Sequence, residues 1–148
     1  MNASFEEKSV WIQFAGMALG LGAYFIVAGR LIAEGVRAMP AYAAVFMVAV
    51  AAMVVFLIAA YTLTAILSRP EARDERDRLI AWRAEHHSSW IVAVGVLAAI
   101  TCMVLGIDNI WTANLLLLSL ALSHMLGYTL QILAYRRGIP ASHPGAEA

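Results

Sequence analysis

Residues 41–68 read AYAAVFMVAVAAMVVFLIAAYTLTAILS, 28 positions without a charged side chain. An α-helix needs roughly 20 consecutive apolar residues to cross the hydrocarbon of a bilayer, where every backbone polar group must be satisfied within the segment. Three further runs meet that requirement: 9–29 with 21 uncharged positions, 88–107 with 20 and 109–135 with 27. The last two are separated only by a turn at Gly106-Ile107-Asp108-Asn109, which makes them a tight hairpin. The expected fold is all-α, a four-helix transmembrane bundle in a single domain over 1–148, with a charged loop at 69–87 and a mobile tail at 139–148.

Composition points the same way. The chain is 62% hydrophobic and 14% charged, with a mean hydropathy of +0.76, whereas water-soluble domains are nearer half apolar and a quarter charged. Ten basic and ten acidic residues leave no net charge to attract nucleic acid, so no direct nucleic-acid contact is expected. The single Cys102 lies inside an apolar run and reads as a packing residue. The first run exceeds the roughly 7–15 residues of a signal-peptide core, and its leader carries Glu6 and Glu7 beside Lys8. It is therefore read as a retained span.

Lys8, Arg69, Arg73, Arg76, Arg78, Arg83, Arg136 and Arg137 fall on one side of this arrangement, and only Arg30 and Arg37 on the other. The excess of Lys and Arg on cytoplasmic loops assigns the first side, with both termini, to the cytoplasm. Trp11, Tyr42, Trp90, Trp111 and Tyr135 lie near span ends, where amphipathic rings favour the interface.

Glu6-x-x-Ser9-x-Trp11-Ile12-x-x-x-Gly16 recurs as Glu85-x-x-Ser88-x-Trp90-Ile91-x-x-x-Gly95, and Tyr61-Thr62-Leu63 recurs as Tyr128-Thr129-Leu130. Two duplicated helical hairpins, related by an axis along the membrane normal, would produce this pattern. Coincidence among spans that draw on few residue types is the competing explanation. Gly16 and Gly20 form a GxxxG step, which suits either packing within the bundle or a homo-oligomer.

The last span carries a polar stripe. Asn114, Ala121, His124, Tyr128, Gln131 and Tyr135 fall within about 100° of one another at helical spacing. Asn114, His124, Tyr128 and Gln131 form the candidate intramembrane polar site, facing the bundle interior, with Gln13, Tyr24 and Tyr61 as candidate partners. His124 reads as a hydrogen-bonded structural residue in one view and as a ligand or proton relay in another. Bis-imidazole haem ligation would need a second histidine at its depth, and His86 and His87 start the third span instead. No Asp, Glu, Lys or Arg interrupts the spans, which argues against an autonomous proton-coupled pump.

The loop 69–87 holds half of the basic residues, with Asp74, Glu75, Asp77 and Glu85 among them. It reads as an interfacial helix running into the third span. Asp74, Glu75, Arg76, Asp77 and Ile80 are its candidate partner surface; a solvated connector or a lipid-headgroup contact are the other readings. His86 and His87 are adjacent on a helix and point about 100° apart, so they cannot easily chelate one metal ion. No metal, cofactor or catalytic constellation is expected, and the chain is read as not an enzyme.

Glu6-Glu7-Lys8 followed by Trp11, the Asp74-Glu75-Arg76-Asp77-x-x-Ile80 loop, Trp111-x-x-Asn114 and Tyr135-Arg136-Arg137-Gly138 are marks spread over most of the chain. In these the chain resembles an uncharacterised family of small four-span bacterial membrane proteins. The resemblance implies a bacterial cytoplasmic (inner) membrane, supplies no catalytic residues, and suggests a small helix-turn-helix regulator as a cytoplasmic protein partner. His86-His87 is not among its marks. The expectation is a non-enzymatic anchor, regulator or accessory subunit in the lipid bilayer. A small oligomeric transport or channel component is the alternative, and a membrane redox subunit using His124 a remote one.

Overall fold

The computed structural model describes residues 5–67 and 75–137, excepting the side chains of Phe5 and Arg137. The tail at 139–148 and Asp74 lie outside the described residues, as do Arg69 and Arg73. Four helices follow in order: α1 (Phe5–Ala33), α2 (Met39–Leu67), α3 (Glu75–Val104) and α4 (Asn109–Arg137). Each is long and apolar enough to cross a membrane. At 29 or 30 residues each is about 45 Å long, against about 30 Å of hydrocarbon, so helical turns project beyond the core.

The helices end where the chemistry requires. Gly35 and Gly106 adopt left-handed φ of 75° and 71° directly after α1 and α3. Gly35 N–H donates to Ile32 O and Val36 N–H to Leu31 O; Gly106 N–H donates to Met103 O and Ile107 N–H to Cys102 O. Both are Schellman closures, which satisfy the last carbonyls of a helix and favour glycine at the left-handed position. Asp108 then caps α4, its Oδ1 accepting from Ile110 N–H at 2.9 Å. Pro40 sits in the first turn of α2, where its missing N–H costs nothing.

The main packings are α3 on α4, α1 on α2, and α1 on α4, so α1 and α4 form an inner pair flanked by α2 and α3. At the turn end, Tyr24, Ala28, Tyr42 and Ile110 form a buried cluster joining α1, α2 and α4. An exposed Arg37–Asp108 pair at 3.4 Å joins the two turns and adds little in so open a setting. Away from α1, one face of α2 exposes its apolar side chains, from Val48 at 70% exposed to Ile66 at 76% and Leu67 at 74%. A surface of that kind needs hydrocarbon rather than water around it.

The two hairpins are seated in different registers. In the first, Gly16 meets Leu57 and Gly20 meets Met53; in the second, Gly95 meets Ser119 and Ser88 meets Gly127. A strict repeat would set Gly95 opposite His124, the counterpart of Leu57, more than one turn closer to the terminal end. The α3–α4 contact is the tighter of the two, since a Cβ on Gly95 would overlap the Cβ and Oγ of Ser119.

The segment expected to lie flat on the interface does not form a separate element. α3 is unbroken from Glu75 to Val104, so residues 75–87 prolong the span by about 20 Å. One face of this extension continues the packing stripe of the span: Ile80, Ala84, Ser88, Gly95 and Ala99 are all buried, and Asp77 accepts a 3.0 Å hydrogen bond from Tyr135 of α4.

Gly95→Ala is expected to destabilise the protein by about 1–3 kcal/mol, because the added methyl would overlap Ser119 Cβ, an atom fixed to the backbone that no rotation can move aside. Gly22→Ala, where an added methyl meets nothing within 4 Å, should be neutral or stabilising by up to about 1 kcal/mol. Equilibrium unfolding in mixed micelles distinguishes the two; equal effects would remove the α3–α4 contact from its central place.

Candidate functional site

The polar stripe of α4 divides into two parts with different roles. Asn114, near the turn end, is used in packing: Tyr24 of α1 donates to its Oδ1 at 3.1 Å, while its own Nδ2 donates to Ile110 O at 2.8 Å. Tyr24 is one of the partners expected from sequence. His124, Tyr128 and Gln131 instead line a half-open cleft of about 670 Å³. His124 is exposed, and its ring stacks on Tyr128 with centroids 6.1 Å apart. No hydrogen bond from described residues reaches the side chains of His124, Tyr128 or Gln131, so the expected protein partners do not bind them.

The cleft follows from how the helices pack. α1 and α3 lie on either side of α4 and are not among the principal contact pairs, which leaves a trough between them. α4 supplies Ser123, His124, Gly127, Tyr128 and Gln131; α3 supplies Ala81, Glu85, Ser88, Ser89, Val92 and Ala93; α1 supplies Gln13. Gly127 keeps the floor low, because a Cβ there would lie 3.1 Å from Ser88 Oγ. Ser123 donates to Ser88 O at 2.8 Å, Ser88 to Glu85 O at 3.2 Å and Ser89 to His86 O at 3.0 Å, so three of the lining hydroxyls are spent on backbone carbonyls.

The α1 wall is fixed from behind. Gln13 Nε2 donates to Tyr61 Oη of α2 at 2.6 Å, and Ser9 Oγ donates to the same oxygen at 3.2 Å. Tyr61, the third expected partner, therefore makes its hydrogen bonds across the α1–α2 seam. Arg136 lies 5.6 Å from the centre of the Trp11 ring and joins α1 to α4 at the terminal end by a cation–π contact.

The partner surface anticipated on the charged segment takes a different form. Ile80 is 2% exposed and packs inward, so it is not available to a partner. Asp77 is half-buried and engaged with Tyr135. Glu75 and Arg76 are exposed, together with Arg78, Leu79, Trp82 and His86. Trp82 stacks on His86 with centroids 5.7 Å apart. Among the described residues no group of three or more His, Cys, Asp or Glu could hold a metal ion.

Hydrogen bonds between spans contribute modestly, since the competing state in the membrane also finds partners. A double-mutant cycle of Gln13→Leu and Tyr61→Phe should give a coupling of about 0.6 kcal/mol in unfolding experiments. A coupling near zero would detach the α1 wall from its support. Comparison with protein-family models, with curated proteins and with solved structures finds no match.

Proposed function

We propose that this chain is a non-enzymatic protein of a bacterial inner membrane, acting as an anchor, regulator or accessory subunit for a cytoplasmic partner. The observation that carries this reading is the unbroken extension of α3, held to α4 on one face and exposed on the other. Glu75, Arg76, Leu79 and Trp82 present both charges, an aliphatic side chain and an indole at 63% exposure. Aromatic residues and Arg are favoured in protein interfaces. Because the opposite face is packed on α4, binding on the exposed face would bear on the same helix pair that walls the cleft. The excess of Arg and Lys on the terminal side supports a cytoplasmic location for this extension. The resemblance read from the sequence makes a small helix-turn-helix regulator the partner to look for.

A second reading, a small oligomeric transport component, draws support from the half-open cleft, whose polar residues another copy would enclose.

Crosslinked recovery from native membranes tests the first reading. The variant Glu75→Lys/Arg76→Glu/Trp82→Ala should lose a soluble partner that wild type retains, while Ile80→Val, on the packed face, should retain it. Loss in neither variant would refute the docking role. For the transport reading, proteoliposomes should exchange a small ion faster than empty vesicles, with His124→Leu changing the rate; identical rates would remove it.

A further inference from the structure

We propose that the cleft between α1, α3 and α4 is a binding site for an organic ammonium group, with Glu85 as its counter-ion and the Tyr128–His124 ring pair as its platform. The proposal rests on the reading of the chain as a protein that works by binding rather than by catalysis. The cleft lining shares no residue with the docking face of Glu75, Arg76, Leu79 and Trp82, although the exposed Glu85 and Ser89 belong to the same helix.

The lining selects the chemistry. Among the described residues Glu85 is the only fixed charge in it, and no Lys or Arg of that set contributes. Arg136, the cation nearest in sequence to Gln131, is held over the Trp11 ring instead. Among the described residues the Glu85 carboxylate has no ion-pair partner. An anionic ligand would meet repulsion without compensation, whereas a cation would supply the missing partner.

The α3–α4 register gives depth to the site. Ser88 lies opposite Gly127, which sets Glu85 near the level of Gln131, with Tyr128 about one turn deeper and His124 one turn deeper again. An ammonium beside Glu85 therefore lies near the stacked rings, and ring faces attract cations within about 6 Å. Ala81, Val92 and Ala93 form apolar wall suited to the carbon substituents of such an ion. The volume of about 670 Å³ falls in the range of small-molecule sites, roughly 300–1,000 Å³.

Two sources share this chemistry, a free organic amine and the ethanolamine headgroup of a lipid, and the test separates them. In the first arm, benzyltrimethylammonium is titrated calorimetrically into the full-length protein in dodecyl maltoside, with benzenesulfonate as the anionic control. Saturable binding of the ammonium alone is expected, weakened about tenfold or more by Glu85→Gln and by Tyr128→Leu. Glu75→Gln, the same charge change on the exposed face of α3, should leave it unaltered.

In the second arm, native mass spectrometry follows retention of phosphatidylethanolamine against phosphatidylglycerol. An ethanolamine preference lost in Glu85→Gln identifies a lipid ligand. Ammonium binding without that preference identifies a free amine. Binding of neither, or binding indifferent to both Glu85→Gln and Tyr128→Leu, overturns the proposal. Partner recovery through Glu75, Arg76 and Trp82 is read independently, so failure here leaves the docking role standing.

Discussion

The close approach of α3 to α4, Gly95 against Ser119 and Ser88 against Gly127, is the contact on which the remaining architecture depends. Lipid tails are as apolar as leucine, so spans gain little from burying large aliphatic groups and associate where small residues let backbones meet. That contact holds α3 on one flank of α4. The Tyr24–Asn114 bond and the cluster around Tyr42 hold α1 on the other. With α3 and α1 each committed to a separate flank, the space between them stays open, and the polar cleft occupies it.

The same geometry explains why a single polar stripe serves two purposes. Asn114 lies where α1 approaches α4, and its amide is absorbed into packing. His124, Tyr128 and Gln131 lie further along the helix, beside the cleft, where the Gln13 amide of α1 is engaged with Tyr61. Helical periodicity places all four on one face, yet only the neighbouring helices decide which of them are satisfied internally. The charged extension of α3 shows a similar division, with one face serving the bundle and the other left accessible.

Much of the fold is legible in the sequence because hydrocarbon imposes few and strict conditions. Charge-free runs of sufficient length reveal the four spans, and Gly106-Ile107-Asp108 marks the tight turn through one left-handed glycine and one capping carboxylate. The polar stripe is legible through its spacing, and Tyr24 as one of three candidate partners for it. Ile80 reads as accessible only if residues 69–87 lie along the interface before entering the third span. The signal was present in Ile80, Ala84, Ser88, Gly95 and Ala99, which continue at helical spacing from the charged segment into the span. Helix adjacency has no comparable signature, since α1 packs on α4 through residues that would serve equally well against another span. The register of the second hairpin is equally silent, being set by which small side chains meet.

The outward position of α2 also constrains the surrounding lipid. Ser9, at the start of the uncharged stretch of α1, meets Tyr61, and α2 continues for six further residues, ending in Leu63, Ile66 and Leu67 on its exposed surface. That apolar tip stands about 9 Å beyond Tyr61, level with Glu6, Glu7 and Lys8 of the adjacent helix. Hydrophobic mismatch of this kind is relieved by a locally thicker leaflet or by tilt, at a cost of fractions of a kcal/mol per ångström. Bilayer thickness thereby becomes a variable to which the α1–α2 hairpin responds. Through α1, the same variable reaches one wall of the cleft.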